Sequence, residues 1–387
     1  MTDIARLAHV AASRAQLPVS AYFDPDRFAR EQRRIFQQAA LYQGHEKLVP
    51  DVGDYRTLQH EDNGRVLVRN PEGVELLSNV CRHRQALMLG GEAGDVAGAT
   101  HSTGNLRAQG GNIVCPLHRW TYEPGGRLLG APQFERTPSL DLQRFALQNL
   151  EGLLFEGSRQ VAADLGPLFS RPAFDFSGYV LDRVEHHQCH YNWKTFIEVY
   201  LEDYHVGPFH PGLGQFVTCD DLQWEFAPWF SLQQVGVHKA LAQPGSGVYQ
   251  RWHDQLLAYR QGKTPDFGAI WVTYFPTHMI EIYPHTLVLS TLYPKSPQET
   301  VNIVEFYYPE EIVAFEREFV EAQQTAYMET AIEDDEIAER MDAGRRRLME
   351  RGVSEAGPYQ SPMEDGMQHF HEWYRQIMDE PIPDESR

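Results

Sequence analysis

The sequence predicts an α+β protein, with an N-terminal all-β domain followed by a larger α+β domain that combines an antiparallel sheet with helices. Three observations predict it. Residues 53–155 hold short β-type runs separated by Gly, Pro and Asn turn signals. Four strand-like runs then crowd into residues 270–308, and a long helical pattern of apolar residues follows over 309–351.

At 387 residues the chain is long enough for two or three domains. With 42% hydrophobic, 23% charged and 12% aromatic residues it has the composition of a folded globular protein. A net charge of -20 repels phosphate backbones and anionic membrane surfaces, so nucleic acid and membrane are not expected partners. The longest apolar stretch, residues 269–283, is interrupted by Pro276, His278 and Glu281 and falls short of a bilayer span. The opening residues lack the basic, apolar and small-residue regions of a signal peptide, which predicts a cytoplasmic protein.

Taken in order, residues 1–40 form a helical segment in which Phe28, Ile35 and Phe36 share a face that packs on the body. Residues 41–156 form the β-domain, with strands expected at 55–58, 65–68, 76–79, 113–115 and 153–155. Residues 90–111, rich in Gly and Ala, have too few large apolar residues for a core and are expected to be a surface insertion. Residues 157–387 form the third region: a helical segment near 192–205, strands at 270–275, 278–283, 287–293 and 301–308, and the long helix. From Met378 onward acids and prolines leave little to bury, and fraying is expected.

Two constellations carry chemistry. Cys81 with His83, and Cys115 with His118, are thiolate and imidazole pairs in tight turns at strand ends, able to meet at one metal centre. Those four residues alone fit either a structural zinc or an iron-sulfur cluster. The surroundings of the second pair, Cys115, Pro116, Leu117, His118, Arg119, Trp120, Thr121 and Tyr122 followed by Gly125 and Gly126, are similar to the second cluster loop of Rieske [2Fe-2S] proteins. In such a cluster two thiolates hold one iron and two imidazoles the other. Trp120, Tyr122 and the glycine turn would shield it and tune its potential.

The second constellation is His205 and His210, five apart and preceded by Glu198, Glu202 and Asp203. Gly207 and Pro208 are expected to bend the chain so that the rings converge. Two histidines and one carboxylate make a facial triad for non-haem Fe(II), with positions left for O2. The acidic run Glu333, Asp334, Asp335, Glu336 and Glu339 can supply the carboxylate, although such a run is commonly a solvated helix face.

With both constellations in view, the chain resembles the catalytic α subunit of Rieske non-haem iron oxygenases, the ring-hydroxylating oxygenase family, over residues 22–374. The resemblance implies a [2Fe-2S] Rieske cluster on Cys81, His83, Cys115 and His118, and a mononuclear Fe(II) on His205, His210 and Asp334, with Asp335 as the alternative third ligand. It also implies that Glu202 bridges His205 to the cluster histidine His118 of a neighbouring subunit. The family's two centres within one chain are too far apart for useful electron transfer, so a ring-shaped homotrimer follows. The implied function is that of a terminal oxygenase: O2-dependent hydroxylation of a small organic substrate, with NAD(P)H electrons delivered by a flavin/iron-sulfur reductase or ferredoxin. No dinucleotide fingerprint or second paired-cysteine set is present to supply them internally.

Two departures stand out. The 90–111 insertion lengthens the spacing between the cluster loops, and Val199 replaces an Asn common in aromatic dihydroxylating relatives. The stretch from Tyr200 to Gly212 looks closer to relatives acting on quaternary amines such as carnitine or a betaine, so oxidative cleavage or demethylation of such an amine is the alternative activity. An electron-transfer protein or a zinc-binding protein without oxygenase activity is the alternative of another class.

Other residues are expected to be structural. His186, His187 and His190 do not share one strand face, and Cys189 and Cys219 lack ligand-spaced partners and are expected to be buried. Trp224, Trp229, Trp271, Tyr274, Phe275, Tyr283 and His285 fall where the family builds its substrate pocket. As strand aromatics they serve either the core or a cage for an ammonium group.

Overall fold

The computed structural model describes residues 16–90, 102–353 and 356–379. It divides into two compact units, Ala40–Gly166 on one side and Met1–Ala39 with Pro167–Arg387 on the other.

In the first unit the strand Arg65–Asn70 explains the architecture. Val66, Leu67 and Val68 are all fully buried, which requires cover on both faces of the strand. Val66 and Val68 join the core that contains Cys81, Cys115, Trp120 and Tyr122, whereas Leu67 joins Val49, Leu58, Leu76 and Leu154 on the other side. That strand is the middle of a five-stranded antiparallel sheet. Two three-stranded sheets complete the unit, one of them Ile113–Val114, Thr121–Tyr122 and Leu128–Gly130.

The expected surface insertion is only partly that. Residues 91–101 lie outside the described residues, but Thr103–Asn105 pairs with Asp54–Thr57 as an edge strand, and Leu106 is fully buried in the core. Backbone pairing explains it, since an edge strand needs no large side chains. Gly104 lies so close on Tyr55 that a Cβ there would come within 2.7 Å of its hydroxyl oxygen.

The second unit is built on a seven-stranded antiparallel sheet. Its spatial order is Tyr179–Cys189, Glu299–Pro309, Thr286–Ser296, His278–Tyr283, Ala269–Tyr274, Phe230–Val237, Val217–Ala227. Of these strands, Phe230–Val237 is absent from the sequence reading, while Tyr179–Cys189 is anticipated only as the strand-like stretch holding His186 and His187, and Val217–Ala227 only in the reading of Trp224 as a strand aromatic. The outermost two alternate weakly, with mixed polar faces that carry no clear period of two. The expected long helix breaks at Glu316, whose φ of -122° is not helical, into Glu310–Phe315 and Arg317–Glu350. Its Tyr327 ring packs on Phe306 and Tyr283 of the sheet.

The helix Asp365–Met378 was also not anticipated, and Met378, placed in the fraying tail, is fully buried; residues 380–387 lie outside the described residues. No described helix is long and apolar enough to cross a membrane.

The helix Trp193–Tyr200, which leads into the histidine segment, is buried on nearly all sides, including Lys194 and Glu198. Such charges require partners. Lys194 Nζ lies 2.7 Å from Glu31 of the N-terminal segment, and Glu31 also accepts from Trp193 Nε1 and the Tyr374 hydroxyl. Glu198 accepts from Arg345, His371 and Tyr22, and although burial alone would raise its carboxyl, Arg345 and His371 hold it at about 2. Residues 19–36 therefore pack on this unit, with Ile35 and Phe36 buried.

Removing Lys194 leaves Glu31 as an uncompensated buried charge. Lys194→Met is expected to destabilise this unit by about 3 kcal/mol in urea unfolding followed by tryptophan fluorescence. A change below about 1 kcal/mol would contradict the pairing described here.

Candidate metal centres and substrate cavity

In the first unit two loops of like conformation face each other. The Cys81 loop is closed by Gln85 N–H donating to Cys81 O at 3.1 Å, and the Cys115 loop by Arg119 N–H donating to Cys115 O at 3.1 Å. Gln85 (φ 56°) and Arg119 (φ 62°) are both left-handed, each four residues after its cysteine. Both thiols are buried, and the His83 and His118 rings lie 4.8 Å apart. His83 stacks on Trp120 at 4.9 Å, and its Nδ1 is buried with no hydrogen-bond partner. The Tyr122 hydroxyl lies 3.7 Å from Cys81 Sγ and accepts the Arg82 N–H at 3.2 Å, which leaves its own hydrogen for the sulfur. Two buried sulfurs, two imidazoles and one orphaned ring nitrogen fit a cluster with two Cys and two His ligands.

In the second unit the helix ends at Tyr200, the chain turns over residues 201–204, and a four-residue helix Val206–Phe209 separates His205 from His210. The bend expected at Gly207 and Pro208 thus lies before His205, and those two residues sit inside the short helix. The main chain leaves that helix extended at His210, and Gly212 follows where a Cβ would come within 2.1 Å of the Tyr249 ring. The acid arrives from the helix Arg317–Glu350.

Three ligand atoms converge. His205 Nε2 and His210 Nε2 are 3.0 Å apart, and Asp334 Oδ1 lies 3.0 Å from His210 Nε2 and 3.5 Å from His205 Nε2. The other ring nitrogens are engaged by carboxylates, His205 Nδ1 by Glu202 at 2.6 Å and His210 Nδ1 by Glu333 at 2.7 Å. With Nδ1–H donating to a carboxylate, each Nε2 keeps a lone pair, and the two lone pairs face a buried carboxylate oxygen that receives no hydrogen bond. Such a group is suited to hold a cation at its centre. Ligand atoms about 2.1 Å from an ion and at right angles to one another stand about 3 Å apart, the spacing seen here. Burial would hold the His205 ring neutral, yet Asp334 and Glu202 push its pKa up to about 10 in the absence of a cation.

Asp335 points elsewhere. Its carboxylate lies 2.6 Å from His187 Nε2 and accepts from the Tyr191 hydroxyl at 2.7 Å. His187, Cys189 and Asp335 form a second group within 4.8 Å of one another, so Cys189 does have neighbours of ligand type, contrary to expectation. Burial pushes the Cys189 thiol up to about 12, leaving it protonated beside an ion pair. Cys219 is only partly buried.

A cavity opens onto the triad between the long helix and the sheet, lined by His205, His210 and Asp334 together with Glu202, Glu281 and Tyr327. Of the seven aromatic-region residues expected there, Trp271 and Tyr283 line it. The others face away: Trp224 donates to Pro362 O, Trp229 packs on Trp373, Phe275 on His369, and His285 contacts Arg260 and Tyr259, while Tyr274 is core. Sequence reasoning missed Tyr200, Gln233, Tyr249 and Tyr327, which reach the cavity from helices and a strand with no pocket signature of their own.

This fold and these two centres define a class. The chain matches the ring hydroxylating alpha subunit (catalytic domain) family over residues 176–380 and the Rieske [2Fe-2S] domain family over residues 41–145. It belongs to the Rieske non-haem iron oxygenases as a catalytic α subunit, an oxidoreductase with a Rieske cluster and a mononuclear iron. Among individual proteins, it is 75% identical over 380 residues to the putrescine 2-hydroxylase of Bordetella bronchiseptica, covering 98% of this chain and 88% of that one. It is 62% identical over 379 residues to the putrescine 2-hydroxylase of Ralstonia nicotianae, covering 98% and 100%. Among solved structures, a quaternary ammonium Rieske monooxygenase described for carnitine oxidation and inter-subunit electron transfer superposes with a TM-score of 0.74 at 19% identity, over 95% of this chain and 97% of that one. The zinc-binding and pure electron-transfer alternatives are thereby set aside.

Asp334→Ala is expected to retain the visible and EPR signature of the cluster while losing the mononuclear iron and at least about 100-fold in turnover, whereas Asp335→Ala keeps the iron. Iron and sulfide assays of both variants check this. Full iron in Asp334→Ala would contradict it.

Proposed function

We propose that the chain hydroxylates putrescine, or a closely similar short aliphatic diamine, at the carbon next to an aminomethyl group. The observation that carries this reading is identity of 75% and 62% over 98% of the chain to two putrescine 2-hydroxylases. The alternative, demethylation of a quaternary amine, rests on relatives of far lower identity, such as the glycine betaine monooxygenase oxygenase subunit of Chromohalobacter salexigens at 27%.

In this reading Cys81, Cys115, His83 and His118 hold the [2Fe-2S] cluster, and His205, His210 and Asp334 hold the mononuclear iron. Iron in such a triad supplies O2 activation at positions the protein leaves open. Overall, one oxygen atom enters a C–H bond of the substrate and the other leaves as water, with two electrons and two protons consumed. The electrons come from NAD(P)H through a reductase or ferredoxin.

The protein's own residues divide the remaining work. Glu202 and Glu333 orient the two imidazoles and fix their tautomers through the Nδ1 contacts. The partly buried Glu202 carboxylate also accepts the His205 N–H at 3.1 Å and is the bridge toward His118 of a neighbouring subunit. The inter-subunit electron transfer described for the carnitine-oxidising relative supports this arrangement, and with it a homotrimer. Residues 41–156 form the Rieske domain and 157–387 the catalytic domain, with the described part of the 1–40 segment packing on the latter and residues 1–15 outside the described residues, and the assembly works in the cytoplasm.

Incubation of the holoenzyme with an NAD(P)H-dependent reductase, putrescine and ¹⁸O2 tests the reading. It predicts 2-hydroxyputrescine carrying one ¹⁸O atom. Formaldehyde release from carnitine or glycine betaine with no putrescine consumed would replace it with the alternative. Tyr122→Phe is expected to lower the cluster potential by about 40 mV, the one-electron equivalent of a hydrogen bond of about 1 kcal/mol that favours the reduced sulfurs. Redox titration followed by EPR checks the shift, and an unchanged potential would remove the Tyr122 to Cys81 contact.

A further inference from the structure

Glu281 is a charged residue in the strand His278–Tyr283, which is buried from His278 to Ile282 and mostly apolar, and only 2% of its surface is exposed. It lies in register with Trp271 on one side and Val288 on the other, and Trp271 in turn faces Gln233. Gln233, Trp271 and Glu281 therefore form one row across three strands, and all three line the cavity that holds His205, His210 and Asp334.

The carboxylate is fixed but not neutralised. Tyr283 donates to Glu281 Oε2 at 2.9 Å and Tyr327 donates to Oε1 at 2.9 Å. Trp271 Nε1 donates to the Tyr283 hydroxyl at 3.0 Å, which commits the Tyr283 hydrogen to Glu281. Two phenols satisfy about half of a carboxylate's acceptor capacity of roughly four lone pairs, and no described Lys, Arg or His shares either oxygen. Three other buried carboxylates of the unit are paired with cations: Glu31 has Lys194, Glu198 has Arg345 and His371, and Asp342 has Arg345. Asp203, beside His205, is the further buried carboxylate of the cavity wall, and burial pushes its carboxyl up to about 7 as well. Burial, reinforced by Asp334, pushes the Glu281 carboxyl up to about 7, whereas the cations beside Glu198 hold it at about 2.

The surroundings suit an organic cation. The Trp271 and Tyr283 rings stand edge to face at 6.2 Å, and the Tyr283 and Tyr327 rings at 6.4 Å, so three aromatic rings accompany the carboxylate. Gln233 Oε1 and the Tyr200 hydroxyl, both buried and cavity-lining, have no hydrogen-bond partner. Phe216, Trp252 and Ala326 supply apolar wall for a methylene chain. Tyr327 and Asp334 lie seven residues apart on one helix, about 10.5 Å of axial rise, so the carboxylate and the triad sit about two turns apart along the same wall.

We propose that Glu281, held by Tyr283 and Tyr327, is the anchor for one primary ammonium group of the substrate, and that this contact presents a carbon near the opposite end of the short diamine to the His205, His210 and Asp334 centre. The proposal rests on the diamine hydroxylase reading above and assigns the residue that would make an amine, rather than a neutral molecule, the substrate. Glu281 is a specificity-determining residue in it and takes no part in metal binding.

The test is anaerobic calorimetry of the reduced holoenzyme with putrescine and with 1,4-butanediol, which has the same chain length and no charge. Wild-type protein is expected to bind putrescine at least 100-fold more tightly than the diol. Glu281→Gln, of the same shape without the charge, is expected to lose at least 100-fold in putrescine affinity and to leave diol binding, cluster EPR and iron content unchanged. Should Glu281→Gln not accumulate as holoenzyme, Glu281→Asp retracts the charge by one methylene and is expected to raise KM for putrescine at least tenfold and to divert reducing equivalents into hydrogen peroxide. Putrescine binding within threefold of wild type in either variant overturns the proposal. Wild-type protein that binds and oxidises no diamine at all overturns the functional reading instead, a result distinct from a wild type that turns over putrescine together with an unaffected variant.

Discussion

The rest of the catalytic unit depends on one electrostatic constraint: two imidazole lone pairs and one carboxylate oxygen are held within 3.5 Å of one another with no donor between them. Three such acceptors repel unless a cation occupies their centre. What keeps them there is the outer ring of acids, since Glu202 and Glu333 take the Nδ1 hydrogens and turn both Nε2 atoms inward. The fold supplies the leverage. His205 and His210 bracket a single short helix, and Asp334 arrives from the 34-residue helix Arg317–Glu350.

Charge placement organises the surroundings of that centre as well. The helix preceding His205 is buried nearly all round, and its two internal charges are each met by a partner from a distant part of the chain, Lys194 by Glu31 and Glu198 by Arg345, His371 and Tyr22. These pairs pin the N-terminal segment, the histidine helix, the long helix and the C-terminal helix to one another. Against that background of compensated charge, the carboxylate of Glu281 faces the cavity with two phenols and no cation, an arrangement that suits a bound ligand. In the first unit the equivalent constraint is steric: the two left-handed residues Gln85 and Arg119 close matching turns, and the turns bring two buried sulfurs and two rings together.

Much of this was legible in the residues themselves. The two Cys and His pairs, the histidines five apart and the acidic run on the long helix are local patterns, and the family resemblance turned them into roles. The choice of Asp334 over Asp335 needed the family pattern, because neighbouring helix positions point about 100° apart and sequence spacing alone does not say which faces a distant loop. The outermost strands were legible only in fragments, around His186 and Trp224, since their faces are mixed and carry no clear period. Glu281 stood in view only as an interruption of an apolar run. A lone acid in a mostly buried strand is a signal, but its meaning comes from Tyr327, which only the tertiary fold places opposite. Likewise the edge strand Thr103–Asn105 is held by backbone pairing, which composition does not register.

The most direct test of the central claim is anomalous diffraction at the iron absorption edge from crystals of the holoenzyme. The account predicts three iron positions per chain, one bounded by His205, His210 and Asp334 and two between the Cys81 and Cys115 loops. An iron position at His187, Cys189 and Asp335, with none between the two histidines and Asp334, would contradict it.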